Sequence, residues 1–132
     1  MSNTRKPIIG VSIGDLNGVG MELIIKTFAD PDILDLCTPV VFGSSKVASY
    51  HRKAIGEEKF NFHLIKGLDQ IHPDRANLIN VWQEEVNLEL GTLNRDLGPY
   101  AVQSLEAACD AVQEGQVDAL LTAPIHKQAV QS

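Results

Sequence analysis

The run IIGVSIGDLNGVGMEL, residues 8–23, decides the fold. Its first half is apolar and rich in β-branched residues, as a buried strand requires, and its second half opens an amphipathic helix. Between them lie Gly14, Gly18 and Gly20. A strand that feeds a helix through glycines gathers backbone N–H groups and the positive end of the helix dipole at one point, which suits a phosphate or carboxylate. A second strand-to-helix junction, ALLTAPIHK at residues 119–127, carries the only adjacent His-Lys pair of the chain. Its apolar run does not alternate, so it predicts a strand covered on both faces.

Working outward, apolar runs and helical patterns alternate. Strands are expected at 7–13, 39–42, 61–65, 77–82 and 117–121, and helices at 19–29, 31–36, 46–54 and 98–114. The first helix sets Leu23, Ile24 and Phe28 at helical spacing, and the last sets Val102, Leu105, Cys109 and Val112 on one face. Asp30-Pro31 reads as an N-cap followed by proline at N1, and Gly56 and Gly115 read as helix stops. Pro39 marks the beginning of a strand or an edge strand. The segment 84–97 reads as a loop or short extended arm. Strands alternating with helices predict an α/β fold, a three-layer, mostly parallel sheet with crossover helices. Ligands of such sheets sit beyond the carboxyl ends of the strands, so the two junctions line one pocket if their strands are neighbours.

Composition narrows the class. The chain has 132 residues, 44% hydrophobic and 21% charged, ordinary values for one globular domain. A formal net charge of −6 argues against a nucleic-acid binder, which needs a basic face. No apolar run is long enough to span a membrane, and no secretory signal is evident, so a cytoplasmic protein is expected. Cys37 and Cys109 read as reduced, partly buried fillers. His51, beside Arg52 and Lys53, reads as part of a helix surface, and His51, His63 and His72 show no metal-ligand spacing.

The glycines at 14, 18 and 20 miss the dinucleotide spacing G-x-G-x-x-G, and no P-loop lysine follows them. The turn can therefore be a tight packing element or a ligand-facing loop, with Asp15 and Asn17 able to cap the helix or meet a ligand hydroxyl. At the second junction, Lys127 can neutralise an anion, His126 can hydrogen-bond or relay a proton, and Thr122 can cap the turn or face the site. A solvated Lys127 is the plain alternative.

Together the two junctions resemble the 4-hydroxythreonine-4-phosphate dehydrogenase family of vitamin B6 biosynthesis. Its G-D-P-A-G-I-G-P-E segment is matched by G-D-L-N-G-V-G-M-E at 14–22, and its T-G-P-I-N-K or T-A-P-I-H-K turn by 122–127. Tyr100-Ala101, Ser104-Leu105, Ala108, Ala111 and Gly115 follow its later helix. Leu16 and Met21 stand where the family has proline, and Asn17 where it has alanine. The resemblance implies an isocitrate/isopropylmalate dehydrogenase-like fold, with residues 1–132 the N-terminal portion of one α/β domain and a second domain outside the chain. It implies oxidation of a phosphorylated amino acid, 4-phosphooxy-L-threonine, with NAD or NADP and a divalent metal (Zn, Mg or Co) whose ligands lie outside this chain. It further implies a homodimer, no nucleic-acid or membrane partner, and an inactive 132-residue chain. Asp15, Asn17, Gly18, Gly20, Thr122, His126 and Lys127 are the expected substrate- or cofactor-binding residues, with no catalytic residue and no metal ligand among them. Two other classes remain open: a phosphate acetyltransferase-like enzyme on a related scaffold, and a non-catalytic small-molecule binding domain.

Overall fold

In a computed structural model, which describes residues 6–13, 20–56, 60–82 and 98–122, the alternation becomes one five-stranded sheet. In chain order the elements are β1 (Ile8–Ser12), α1 (Gly20–Phe28), α2 (Pro31–Leu36), β2 (Thr38–Gly43), α3 (Ser45–Ala54), β3 (His63–Ile65), a 3-10 turn (Leu68–Gln70), β4 (Asn77–Asn80), α4 (Gly98–Gln113) and β5 (Ala119–Thr122). The strand order is β3-β4-β2-β1-β5, and every described ladder is parallel. The 84–97 segment lies outside the described residues.

Successive strand residues point to opposite faces, and this splits the core in two. Val11, Val41 and Leu78 pack under α1 and α3 with Met21, Ile24, Ile25, Phe28 and Val47. Val40, Phe42 and Ile65 pack on the other side with Ala108 and Ala111 of α4 and with Val117. Helices therefore cover both faces of the sheet, the three-layer arrangement expected.

Local chemistry sets the boundaries. Asp30 accepts a hydrogen bond from the backbone N–H of Asp32 at 2.9 Å, ahead of Pro31 at the first helical position. Gly56 and Gly115 take φ of +77° and +75°, the left-handed conformation that ends α3 and α4. Asn77, fully buried, holds the return from β3 to β4. Its Oδ1 accepts from His72 N–H at 2.9 Å, and its Nδ2 donates to the carbonyls of Pro39, His72 and Arg75 at 3.2, 3.0 and 2.9 Å.

Four expectations need correction. The sheet-facing residues of α4 are Ala101, Ser104, Ala108 and Ala111, all buried, while Val102 is exposed and Leu105, Cys109 and Val112 are half-buried. Small side chains let the helix approach the sheet closely, whereas the sequence pattern selected large ones. Leu23 is 48% exposed, and the buried residues of α1 are Gly20, Met21, Ile24, Ile25 and Phe28. All four residues of β5 are exposed, because among the described strands it is an edge that pairs only with β1. Pro39 is the second residue of β2, at the beginning of the strand as expected, although β2 lies between β1 and β4 and is no edge. It is tolerated because Thr38 N–H reaches Pro7 O at 2.8 Å and β4 begins pairing only at Val40, so no rung needs a proline N–H. Finally, His51 is fully buried, its ring edge-on to Tyr50 at 5.5 Å.

Candidate functional site

The strands that feed the two junctions are parallel and end at the same edge of the sheet. β1 pairs with β5 in the register Ile9↔Ala119 to Ser12↔Thr122, so the strands feeding the glycine turn and the second turn are neighbours. The pairing is tied at its start by Asp118, whose carboxylate accepts from Ile8 N–H at 2.8 Å while its own N–H donates to Ile8 O at 2.8 Å. Of the expected site residues, the structure describes two: Gly20, buried as the first residue of α1, and Thr122, exposed as the last residue of β5. Asp15, Asn17, Gly18, His126 and Lys127 lie outside the described residues.

The sequence reading missed two serines at this edge. Ser104, fully buried on α4, accepts from the backbone N–H of Ile13 at 2.9 Å and donates to the carbonyl of Phe42. Ser12 pairs with Phe42, so the Ser104 hydroxyl stands where the next β1–β2 rung would form. It thereby fixes the last described residue before the glycine turn. Among the described residues, Ser12, also fully buried, has no hydrogen-bond partner for its hydroxyl, and neither has the Trp82 indole N–H, two residues past β4. Trp82 is the single tryptophan of the chain and packs against Tyr100 in the first turn of α4 at 4.9 Å. The signal for Ser104 was its place among Ala101, Ala108 and Ala111 on a small-residue stripe; for Ser12 there was none.

Not every helix start at this edge is open to a ligand. Ser44 Oγ accepts from Lys46 and Val47 N–H at 3.2 and 3.5 Å, and Asn80 Oδ1 accepts from Ser45 N–H at 2.7 Å. The first donors of α3 are thus satisfied within the chain. Between α1 and β5 runs an apolar cavity of about 160 Å³, bordered by Val11, Leu23, Phe28, Leu121 and Thr122. A second, of about 220 Å³, separates α3 from β3, and the Arg52 guanidinium on its wall donates to Phe60 O at 2.9 Å and to Asn61 Oδ1.

The perturbed titrations lie at the opposite, amino edge. A hydrogen bond from Lys6 at 2.7 Å, and then its charge, hold the exposed Asp74 carboxyl below the usual carboxylate range. Burial raises the Cys37 thiol, partly offset by the Lys6 charge. His63 and His72 approach edge-on at 5.6 Å, but His72 Nδ1 already accepts from Asp74 N–H at 3.1 Å. Among the described residues, no group of three or more His, Cys, Asp or Glu side chains is placed to hold a metal ion, and no helix is long and apolar enough to cross a membrane. Both cysteines are unpaired and half-buried.

Comparison with known proteins agrees with this architecture. The family model described as pyridoxal phosphate biosynthetic protein PdxA matches residues 35–132. A 4-hydroxythreonine-4-phosphate dehydrogenase of Bacteroides thetaiotaomicron is 42% identical over 124 residues, 94% of this chain and 34% of that protein. A protein of Fusobacterium nucleatum, provisionally named a D-threonate 4-phosphate dehydrogenase, is 32% identical over 127 residues, 94% of this chain and 38% of that protein. The crystal structure of a 4-hydroxythreonine-4-phosphate dehydrogenase from Burkholderia phymatum superposes with a TM-score of 0.88 at 28% identity, over 97% of this chain and 39% of that one. The chain thus spans little more than a third of the length of the relatives it matches.

Proposed function

The chain belongs to the PdxA family of pyridoxal phosphate biosynthetic proteins, and from that premise we propose that it forms part of a dehydrogenase for a small 4-phosphorylated hydroxy acid. The observation that carries the reading is the 42% identity to the Bacteroides enzyme, and the pairing of β1 with β5, the strands that feed the two junctions, supports it. The proposed substrate is 4-phosphooxy-L-threonine. The relatives' names give two substrates, 4-hydroxythreonine 4-phosphate and D-threonate 4-phosphate. These share a terminal phosphate, a hydroxyl at carbon 3 and a carboxylate, and differ at carbon 2.

In the proposed reaction a hydride leaves carbon 3 for NAD or NADP, the hydroxyl proton is released, and the hydroxyl becomes a ketone. The 2-amino-3-oxo acid so formed then loses carbon dioxide. The divalent ion expected from the resemblance would have its ligands outside this chain, and would supply polarisation of the carbon-3 oxygen. Residues 1–132 supply the N-terminal portion of one α/β domain and one wall of the site. Asp15, Asn17, Gly18 and Gly20 on the first junction and Thr122, His126 and Lys127 on the second face substrate or cofactor. A cytoplasmic homodimer is the proposed setting.

The test compares this chain with one extended to the length of its relatives, each given 4-phosphooxy-L-threonine or D-threonate 4-phosphate, NAD or NADP, and a divalent metal. Nicotinamide reduction in the extended chain alone is the expected result, and His126→Ala should lower it without unfolding the protein. Activity of that variant within about twofold of wild type, under 0.5 kcal/mol of transition-state stabilisation, would remove His126 from the site.

A further inference from the structure

Ser12 combines two properties that rarely coincide: its side chain is fully buried, and its hydroxyl has no hydrogen-bond partner among the described residues. Buried hydroxyls are nearly always paired, and an unpaired one destabilises the fold. Close packing under α4 does not explain the choice of residue, since Ala101 and Ala108 meet that need without a polar atom. Ser104 shows the contrast, because its hydroxyl has both a donor and an acceptor.

The position of Ser12 gives the missing reason. It is the last residue of β1, directly beside Thr122 on β5, and residues paired across a parallel ladder point to the same face. Two hydroxyl-bearing residues are therefore register partners at the carboxyl ends of neighbouring strands, where α/β sheets receive their ligands. In sequence, the glycine-rich segment follows the first strand and the second junction follows the other.

We propose that Ser12 is a binding residue of this site, its hydroxyl pairing with a phosphate or carboxylate oxygen of the small-molecule ligand together with Thr122. The assignment rests on the reading of the carboxyl edge as a ligand site, and it adds a residue to that site. Ser12 keeps its hydroxyl for the bound state and leaves it unsatisfied in the free one. Strain of this kind is tolerated at functional sites because ligand binding relieves it.

A residue of this kind has a distinctive double signature. Ser12→Ala removes an unsatisfied polar atom and a ligand contact at once, so the free protein becomes more stable while ligand affinity falls. The experiment measures thermal unfolding through Trp82 fluorescence for wild type, Ser12→Ala and Ser12→Thr, alone and with 4-phosphooxy-L-threonine, inorganic phosphate or L-threonine. Ser12→Ala should raise the free Tm by a few degrees, and about tenfold more ligand should be needed for the same ligand-induced shift. Ser12→Thr, which keeps the hydroxyl, should retain the shift. A response to phosphate assigns the contact to the phosphate end, and a response to L-threonine alone assigns it to the carboxylate. A lower free Tm for Ser12→Ala would mean that the hydroxyl has a structural partner, and would overturn the proposal. So would the absence of any ligand-induced shift in wild type, or an unchanged shift in Ser12→Ala. The dehydrogenase reading fails separately, through nicotinamide reduction: a phosphate shift lost in Ser12→Ala without hydride transfer in the extended chain would leave Ser12 in place and remove the reaction.

Discussion

Ser104→Ala tests the clearest tertiary bond at the candidate site. In the wild type one hydroxyl serves two backbone groups, Ile13 N–H and Phe42 C=O, and Ser104, Ile13 and Phe42 are 0%, 0% and 3% exposed. No water reaches them to replace the lost partner. An unsatisfied buried donor costs about 1–3 kcal/mol, and a carbonyl, with a second lone pair, sits toward the low end of that range. The sum is about 2–4 kcal/mol. Alanine is the better helix former by up to about 0.5 kcal/mol, which offsets little of it. Net destabilisation of about 1.5–3.5 kcal/mol is a large share of a typical total of about 5–15 kcal/mol. The assay is urea unfolding followed by Trp82 fluorescence. With m of about 1–3 kcal/mol/M, the midpoint should fall by roughly 1–2 M while m stays constant. Glu106→Ala, on the exposed side of the same helix, should change stability by less than about 0.5 kcal/mol. If Ser104→Ala falls within that same margin, the hydroxyl does not hold the two strand ends and the reasoning fails.

Two further outcomes follow from the opposite edge of the sheet. Asn77→Asp should destabilise far more than its size suggests, because it puts a carboxylate against the three carbonyls that the Asn77 amide now satisfies. A loss of about 3–5 kcal/mol by denaturant titration is expected at neutral pH, shrinking as acid neutralises the carboxylate, and a loss independent of pH would refute the account. Asp74 should titrate below an ordinary aspartate in an NMR pH series, and Lys6→Met should return it toward the usual value, since Lys6 is the first cause of the shift. A lowered native pKa means that the stabilising contribution is present at neutral pH and lost as pH falls through the Asp74 midpoint. Because Asp74 is exposed, the accompanying change in stability should be small.

Local signals carried the fold a long way. The strand and the helix on either side of residues 14–19, the Asp30-Pro31 start and the Gly56 and Gly115 stops depend on the intrinsic preferences of neighbouring residues, and all were legible before any contact was known. What escaped depended on distance between elements. The buried stripe of α4 could not be found from hydrophobicity, because a helix lying close to a sheet needs small side chains, and Ala101, Ser104, Ala108 and Ala111 carry little hydrophobic signal. The apolar run at β5 predicts burial on both faces, yet burial needs a neighbour on each side, and among the described strands β5 has one. Polar residues hid most completely. Asn77 and His51 are buried because of where the chain brings other groups to meet them, and nothing in their own neighbourhood announces it. At the candidate site, the adjacency of the two junctions was a condition in the sequence reading, and the β1–β5 register meets it.

The small-residue stripe of α4 makes the helix a lever. Ala108 and Ala111 rest against the middle of the sheet, while Ser104, about one turn closer to the helix start, grips the ends of β1 and β2. Side chains larger than alanine at 108 or 111 would tip the helix about that fulcrum and draw the Ser104 hydroxyl out of reach, since a hydrogen bond weakens within a few tenths of an ångström. The cost of a crowded interior would then be paid at the carboxyl edge. Drift at these two positions is therefore constrained by the geometry of the β1 and β2 ends as well as by packing.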